Sequence, residues 1–315
     1  MNLSHAYGAP PPREDAIRLL HRALDLGVTH FDTAALYGFG RNEELVGEAL
    51  RDHRDRIFLA SKCGMTGVDG KRVIDGRPET LRRTCHEALK RLQTNRIDLY
   101  YLHRWDKSVP IEESVGALAD LVRAGDIRAI GLSEVSAATV RRAHAVHPVA
   151  AVQSEYSLFT RNAEYGVLDI CREIGAAYVA FSPLARGLLA EGIPGAFVEG
   201  DIRRNMPRFI APFRDANLAL ATRFAALARE NGAAPAALAL AWLLYRAPHI
   251  VPIPGTTSIR HLEEDVSGAD VNISPELAAR MDALINTKSV QGDRYPAMAQ
   301  AEIDTETVSA HAVLN

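Results

Sequence analysis

Short apolar runs alternate with amphipathic stretches along most of this chain. Residues 28–31, 57–60, 97–102, 127–132, 149–153, 177–181 and 250–253 have the length and apolar content of buried strands. Between them the spacing turns helical. Ile17, Leu20, Ala23 and Leu24 fall on one face of residues 15–26, and Gly27 ends that stretch. Similar patterns predict helices over 43–50, 78–92, 110–124, 137–146, 164–174, 215–231, 235–245, 259–266 and 275–285. Pro78 and Pro110 stand where helices start, and Gly125 and Gly175 where they stop. Residues 192–212 lack a pattern and read as a long loop, with Arg203, Arg204 and Arg208 solvated. The tail after Asn286 is mixed and is expected to pack loosely.

Strands alternating with helices, and apolar enough to be buried on both faces, predict a parallel sheet. The expected fold is a single α/β domain over residues 1–315, a (β/α)8 TIM-type barrel. Seven strands can be counted where such a barrel needs eight. Residues 1–8 are too short and too polar to supply the missing one. The first strand is therefore expected to be lacking or altered, leaving 28–31 and 250–253 as sheet edges and the barrel weakened or protected by oligomerisation.

Composition narrows the function. A chain of 315 residues suits one barrel and needs no disulfide or metal to support its core. The net charge of -3 points to neither nucleic acid nor a membrane surface. Cys63, Cys85 and Cys171 are odd in number and form no CxxC pair, which speaks for a reducing, cytoplasmic setting and against a zinc site. No apolar run reaches the roughly 18 residues of a membrane span, and residues 1–12 lack the pattern of a signal peptide.

The reactive side chains fall at strand ends. Asp32, Lys62 and His103 each follow a predicted strand, and Tyr37 lies one short loop beyond Asp32. A parallel barrel brings all these ends to one face. A lysine cation would favour the phenolate and lower the tyrosine pKa, and a carboxylate would hold that lysine charged. A neutral histidine could orient a carbonyl oxygen. Together they make a general acid aimed at a carbonyl gaining negative charge. No side chain supplies hydride, so a cofactor must. Cys63, beside Lys62, has no evident base and reads as an apolar filler.

The runs Asp32-Thr33-Ala34-Ala35-Leu36-Tyr37-Gly38, Ser61-Lys62 and Leu102-His103-Arg104 resemble the aldo-keto reductase family. So do Gly131-Leu132-Ser133, Val152-Gln153-Ser154-Glu155, Phe181-Ser182-Pro183-Leu184 and Pro252-Ile253-Pro254-Gly255-Thr256, in family order. The resemblance implies NADPH-dependent reduction of aldehydes or ketones, with a small carbonyl compound as partner. It assigns Tyr37 as general acid, Lys62 as its pKa depressor, Asp32 as the partner of Lys62 and His103 as carbonyl orienter. It gives Ser133 and Gln153 the nicotinamide carboxamide, and Phe181 the nicotinamide ring. Ser182, Pro183, Leu184 and Arg186 would line the pyrophosphate. Gly255, Thr257, His261, Glu264 and Asp265 would hold the adenosine and its 2′-phosphate.

This chain departs from the family at Glu134, where relatives commonly carry Asn, at Thr257, where many NADP-preferring members carry Lys or Arg, and at Asp265, often Asn. NAD(H) therefore stands as the second choice behind NADP(H). Residues 2–8 resemble the segment that follows the first barrel strand in relatives. Tyr7, Leu36, Phe39 and Trp105 are candidates for an apolar substrate wall. Two rivals share the barrel: an NADPH-binding regulatory subunit without turnover, and a Schiff-base aldolase with Lys62 as nucleophile.

Overall fold

The computed structural model describes residues 1–68, 70–193 and 195–307. Its sheet is made of β1 (His30–Asp32), β2 (Phe58–Cys63), β5 (Leu99–Leu102), β6 (Ile130–Ser133), β7 (Val149–Glu155), β8 (Ala177–Phe181) and β9 (Ile250–Ile253). All seven are parallel and pair in that order, so each strand neighbours the next along the chain. Their C-terminal ends accordingly share one rim. Among the described residues, β1 and β9 pair on one side only and are the edges of the sheet, as expected from the seven predicted strands. A two-stranded antiparallel hairpin, β3 (Met65–Val68) and β4 (Lys71–Ile74), rises beyond β2 and was not expected from the sequence.

The helices stand where the spacing put them: α1 (Arg13–Asp25), α2 (Arg41–Leu50), α3 (Pro78–Arg91), α4 (Ile111–Ala124), α5 (Ala137–Val146) and α6 (Val167–Ile174), then α7 (Arg214–Glu230), α8 (Pro235–Arg246), α9 (Ile259–Ser267) and α10 (Pro275–Leu284). A short α11 (Ala297–Ala301) follows in the tail. None is long and apolar enough to cross a membrane.

Strand alternation sorts the side chains into two layers. Leu59, Tyr100, Leu102, Val152, Tyr178 and Ala180 belong to the large core packed against the helices. The intervening Ala60, Leu99, Tyr101, Ala151 and Val179 form a small cluster of their own inside the sheet's curve. Continuing that inner parity toward the strand ends reaches Lys62, Ser133 and Gln153. On β1, Phe31 joins the outer core, so Asp32 faces inward with them. The period of two thus aims four polar side chains at one another.

Across the gap between β1 and β9, Arg22 of α1 meets Glu263 of α9 at 2.7 Å. Residues 1–8 form no strand. They lie at the rim instead: Tyr7 bridges to Asp201, and Ser4 Oγ accepts a hydrogen bond from Asn42.

Candidate active site

The Asp32–Gly38 loop is shaped by glycine and pinned from two sides. Gly38 and Gly40 take φ of +60° and +93°, a region that side chains with a Cβ rarely adopt. A Cβ on Gly38 would also come within 3.0 Å of the Ser4 side chain. The Gly38 amide donates to His5 Nδ1 at 3.2 Å, and Thr33 Oγ1 donates to Asn42 at 2.7 Å. Tyr37 is thereby held in the turn that precedes α2, facing the strand ends.

Lys62 is fully buried. Its ammonium pairs with Asp32 and donates to the Thr33 carbonyl at 2.9 Å. The same nitrogen lies 4.9 Å from the centre of the Tyr37 ring. Tyr37 and His103 meet edge to face with centroids 5.8 Å apart. Gln153 Nε2 donates to the other oxygen of Asp32 at 2.8 Å. The Asp32 carboxylate is therefore shared between Lys62 and Gln153, a link that sequence reasoning missed.

Burial works against the Lys62 charge, but Asp32 and Tyr37 outweigh it and its pKa is raised. Burial pushes the Tyr37 phenol above its ordinary value, and Lys62 pulls the other way without prevailing. This corrects the expectation of a depressed tyrosine: the desolvation of a phenolate is the larger effect here. Burial, helped by the Arg104 and Lys62 charges, keeps His103 well below its usual range and thus neutral. His103 Nδ1 is buried without a hydrogen-bond partner.

One cavity of about 1300 Å³ opens over this cluster. Asp32, Tyr37 and His103 line it, and Lys62 sits behind them, out of reach. Ser133, Gln153, Phe181, Ser182, Pro183, Leu184, Arg186, Gly255, Thr257, His261, Glu264 and Asp265 line the same cavity, which runs from the rim of β6 to α9. The C-terminal ends of four consecutive strands, β6 to β9, thus share it. Ser182, Ala185 and Arg186 have φ of +48°, +48° and +57°, and Glu134 has +55°. Such non-glycine outliers gather where function requires a particular backbone course.

Several side chains differ from expectation. Arg186 is paired with Glu155 at 2.8 Å and donates to the Tyr295 hydroxyl at 3.3 Å. Arg203 is not solvated: it pairs with Asp201 at 2.7 Å and stacks on Phe197 and Tyr7. Arg208 donates to Thr160 and to the Gly292 carbonyl, while Arg204 is exposed. Of the proposed apolar wall, Tyr7 and Leu36 line the cavity. Trp105 instead packs under Arg142 and donates to the Val109 carbonyl, and Phe39 is 56% exposed. As far as residue 307 the tail is not loose; residues 308–315, included in that expectation, lie outside the described residues. Arg294 reaches Glu134, and Tyr295, Pro296, Ala299 and Glu302 form part of the cavity wall.

Comparison with known proteins agrees with this arrangement. The sequence profile of the aldo/keto reductase family matches residues 1–286. A probable aldo-keto reductase 1 of Glycine max is 42% identical over 300 residues, covering 94% of this chain and 86% of that protein. The structure of a glycerol dehydrogenase from Gluconobacter oxydans is similar with a TM-score of 0.82 at 30% identity, over 93% of this chain and 91% of that one. An aldo/keto reductase from Klebsiella pneumoniae, in complex with NADP and acetate, has a TM-score of 0.70 at 28% identity, over 90% and 89% of the two chains. With a profile match over most of its length and a relative this similar, the chain belongs to the aldo/keto reductase family.

Proposed function

We propose that this chain reduces aldehydes or ketones to alcohols with NADPH, through Tyr37, Lys62, Asp32 and His103. The observation that carries the reading is the meeting of these four side chains, from three strand ends, at the floor of one large cavity. The residues assigned to cofactor and substrate share that cavity, and part of its volume lies between α1 and α8, where Leu19, Leu20, Leu240 and Leu244 line it. The first turn of α9, at its far end, holds no acidic residue, which suits a phosphate near the positive end of a helix dipole. Bound there, NADP(H) supplies the hydride that goes to the carbonyl carbon.

The chain's own residues supply the proton. The phenol of Tyr37, kept protonated by burial, donates to the carbonyl oxygen as that oxygen gains charge. Lys62, locked in its charged form by Asp32, then stabilises the phenolate left behind. Neutral His103 offers a hydrogen bond that orients the carbonyl. Ser133, Gln153 and Phe181 are assigned to the nicotinamide end. Ser182, Pro183, Leu184 and Arg186 are assigned to the pyrophosphate, and Gly255, Thr257, His261, Glu264 and Asp265 to the adenosine. A Schiff base at Lys62 would need a neutral, accessible amine, and this one is buried and held charged.

The reading is tested by fluorescence titration with NADPH and NADH, followed by steady-state NADPH oxidation over a panel of aldehydes. Tighter binding of NADPH and turnover of at least some aldehydes are expected. Binding without any turnover would leave a nucleotide-binding protein, and no binding would remove the reading.

A further inference from the structure

We infer that Arg104 is the anion subsite of this cavity, and that the preferred carbonyl substrates carry a carboxylate or a phosphate. The inference rests on the reductase reading and adds the class of substrate. Arg104 immediately follows His103 and lines the cavity alongside His103 and Tyr37. It is half-buried, and its Nη1 donates to the His103 carbonyl at 2.7 Å and to Ser133 Oγ at 3.4 Å. Both are neutral acceptors. The guanidinium is therefore aimed by fixed groups while its charge is left unanswered.

Its neighbours in the cavity wall are unlike it in this respect. Arg72 pairs with Glu302, Arg186 with Glu155 and Arg203 with Asp201. Among the described residues Arg104 has no carboxylate partner. The other positive group at the floor, Lys62, is answered by Asp32. Holding a cation partly out of water without a counter-charge is unfavourable unless a ligand supplies one. The planar fork of arginine fits the two oxygens of a carboxylate or phosphate. Its charge also reaches the reacting groups, since it lowers the proton affinity of both Tyr37 and His103. An anionic group bound at Arg104 would leave the carbonyl of a short chain beside Tyr37.

The test compares matched pairs in the wild-type protein and in Arg104→Met and Arg104→Lys. One pair is 4-oxobutanoate against butanal, the other glyceraldehyde 3-phosphate against glyceraldehyde. The wild type is expected to favour the charged member of at least one pair in kcat/KM by about tenfold or more, the scale of one charge-assisted hydrogen bond. The pair that shows the preference identifies carboxylate or phosphate. Arg104→Met should abolish it, lowering kcat/KM for the charged member by about tenfold more than for the neutral one and chiefly through KM, and Arg104→Lys should keep part of it. No preference in the wild type, or an equal loss on both members of each pair in Arg104→Met, would overturn the inference. Calorimetric titration with succinate and with inorganic phosphate supplies a readout independent of turnover. Weaker binding to Arg104→Met supports the subsite, and equal or absent binding in both proteins refutes it. If none of the four carbonyls is turned over, the aldehyde panel decides the reductase reading, and the calorimetry alone decides the anion site.

Discussion

Arg294 places two nitrogens on the Glu134 carboxylate, at 3.1 and 2.8 Å, across 160 residues of sequence. Both side chains are almost completely buried, and a third bond runs from the Glu155 amide to Glu134 at 2.9 Å. Asp304 extends the attachment by accepting from Ser136 Oγ and Thr139 Oγ1, and Lys107 holds the Ala301 and Ile303 carbonyls. The tail is buckled to the catalytic rim by these polar contacts, alongside the buried Ile303 and the packing of Val290 and Tyr295 against the core.

Removing the arginine leaves a buried carboxylate without its counter-charge. Arg294→Gln should therefore destabilise the protein by about 3–5 kcal/mol, measured by urea unfolding. The double variant Glu134→Gln, Arg294→Gln should recover part of that loss, because no unpaired charge remains. A loss below about 1 kcal/mol in the single variant would show that solvent reaches the pair.

Asp32 and Lys62 should respond unequally to neutralisation. Asp32→Asn leaves a fully buried ammonium without a counter-charge, among neutral groups alone: the Thr33 carbonyl, Tyr37, the Tyr101 ring and the new amide oxygen. Lys62→Met leaves Asp32, 9% exposed, still hydrogen-bonded to Gln153. Thermal melts should therefore rank Asp32→Asn below Lys62→Met, and both below wild type. The reverse order would mean that the carboxylate is the more heavily desolvated partner.

Asp265 gives a pH dependence. Burial, with Glu264 adding to it, pushes its carboxyl up to about 7. The native chain then keeps a proton that the unfolded chain releases near pH 4. The resulting stability is complete below about pH 4 and falls as pH rises to about 7. Asp265→Asn should thus stabilise the protein at pH 8 relative to pH 5, by a few kcal/mol at most, in denaturant unfolding at both values. Equal effects at the two pH values would show that Asp265 titrates as an ordinary exposed carboxylate.

The strands were legible because each is a short apolar run closed by a polar residue, and parallel pairing alone carries Asp32, Lys62 and His103 to one rim. The β3–β4 hairpin was not, because it is largely exposed: Lys71, Arg72 and Val73 face solvent, and no apolar alternation marks it. The tail was misjudged because its hold depends on Arg294 finding Glu134, a pairing that only the folded chain defines. The direction of the Tyr37 shift was missed for a related reason. Sequence can place a lysine near a phenol, but it does not show how far both are removed from water, and here burial prevails. The Asp32–Gln153 bond needed the inward parity of two strands ends apart in sequence.

Tyr37→Phe tests the central claim most directly, measured as steady-state carbonyl reduction alongside NADPH affinity. Turnover should fall by about a hundredfold or more, the scale for losing a positioned general acid, while the dissociation constant for NADPH stays within about threefold. Turnover at the wild-type rate in that variant would contradict it.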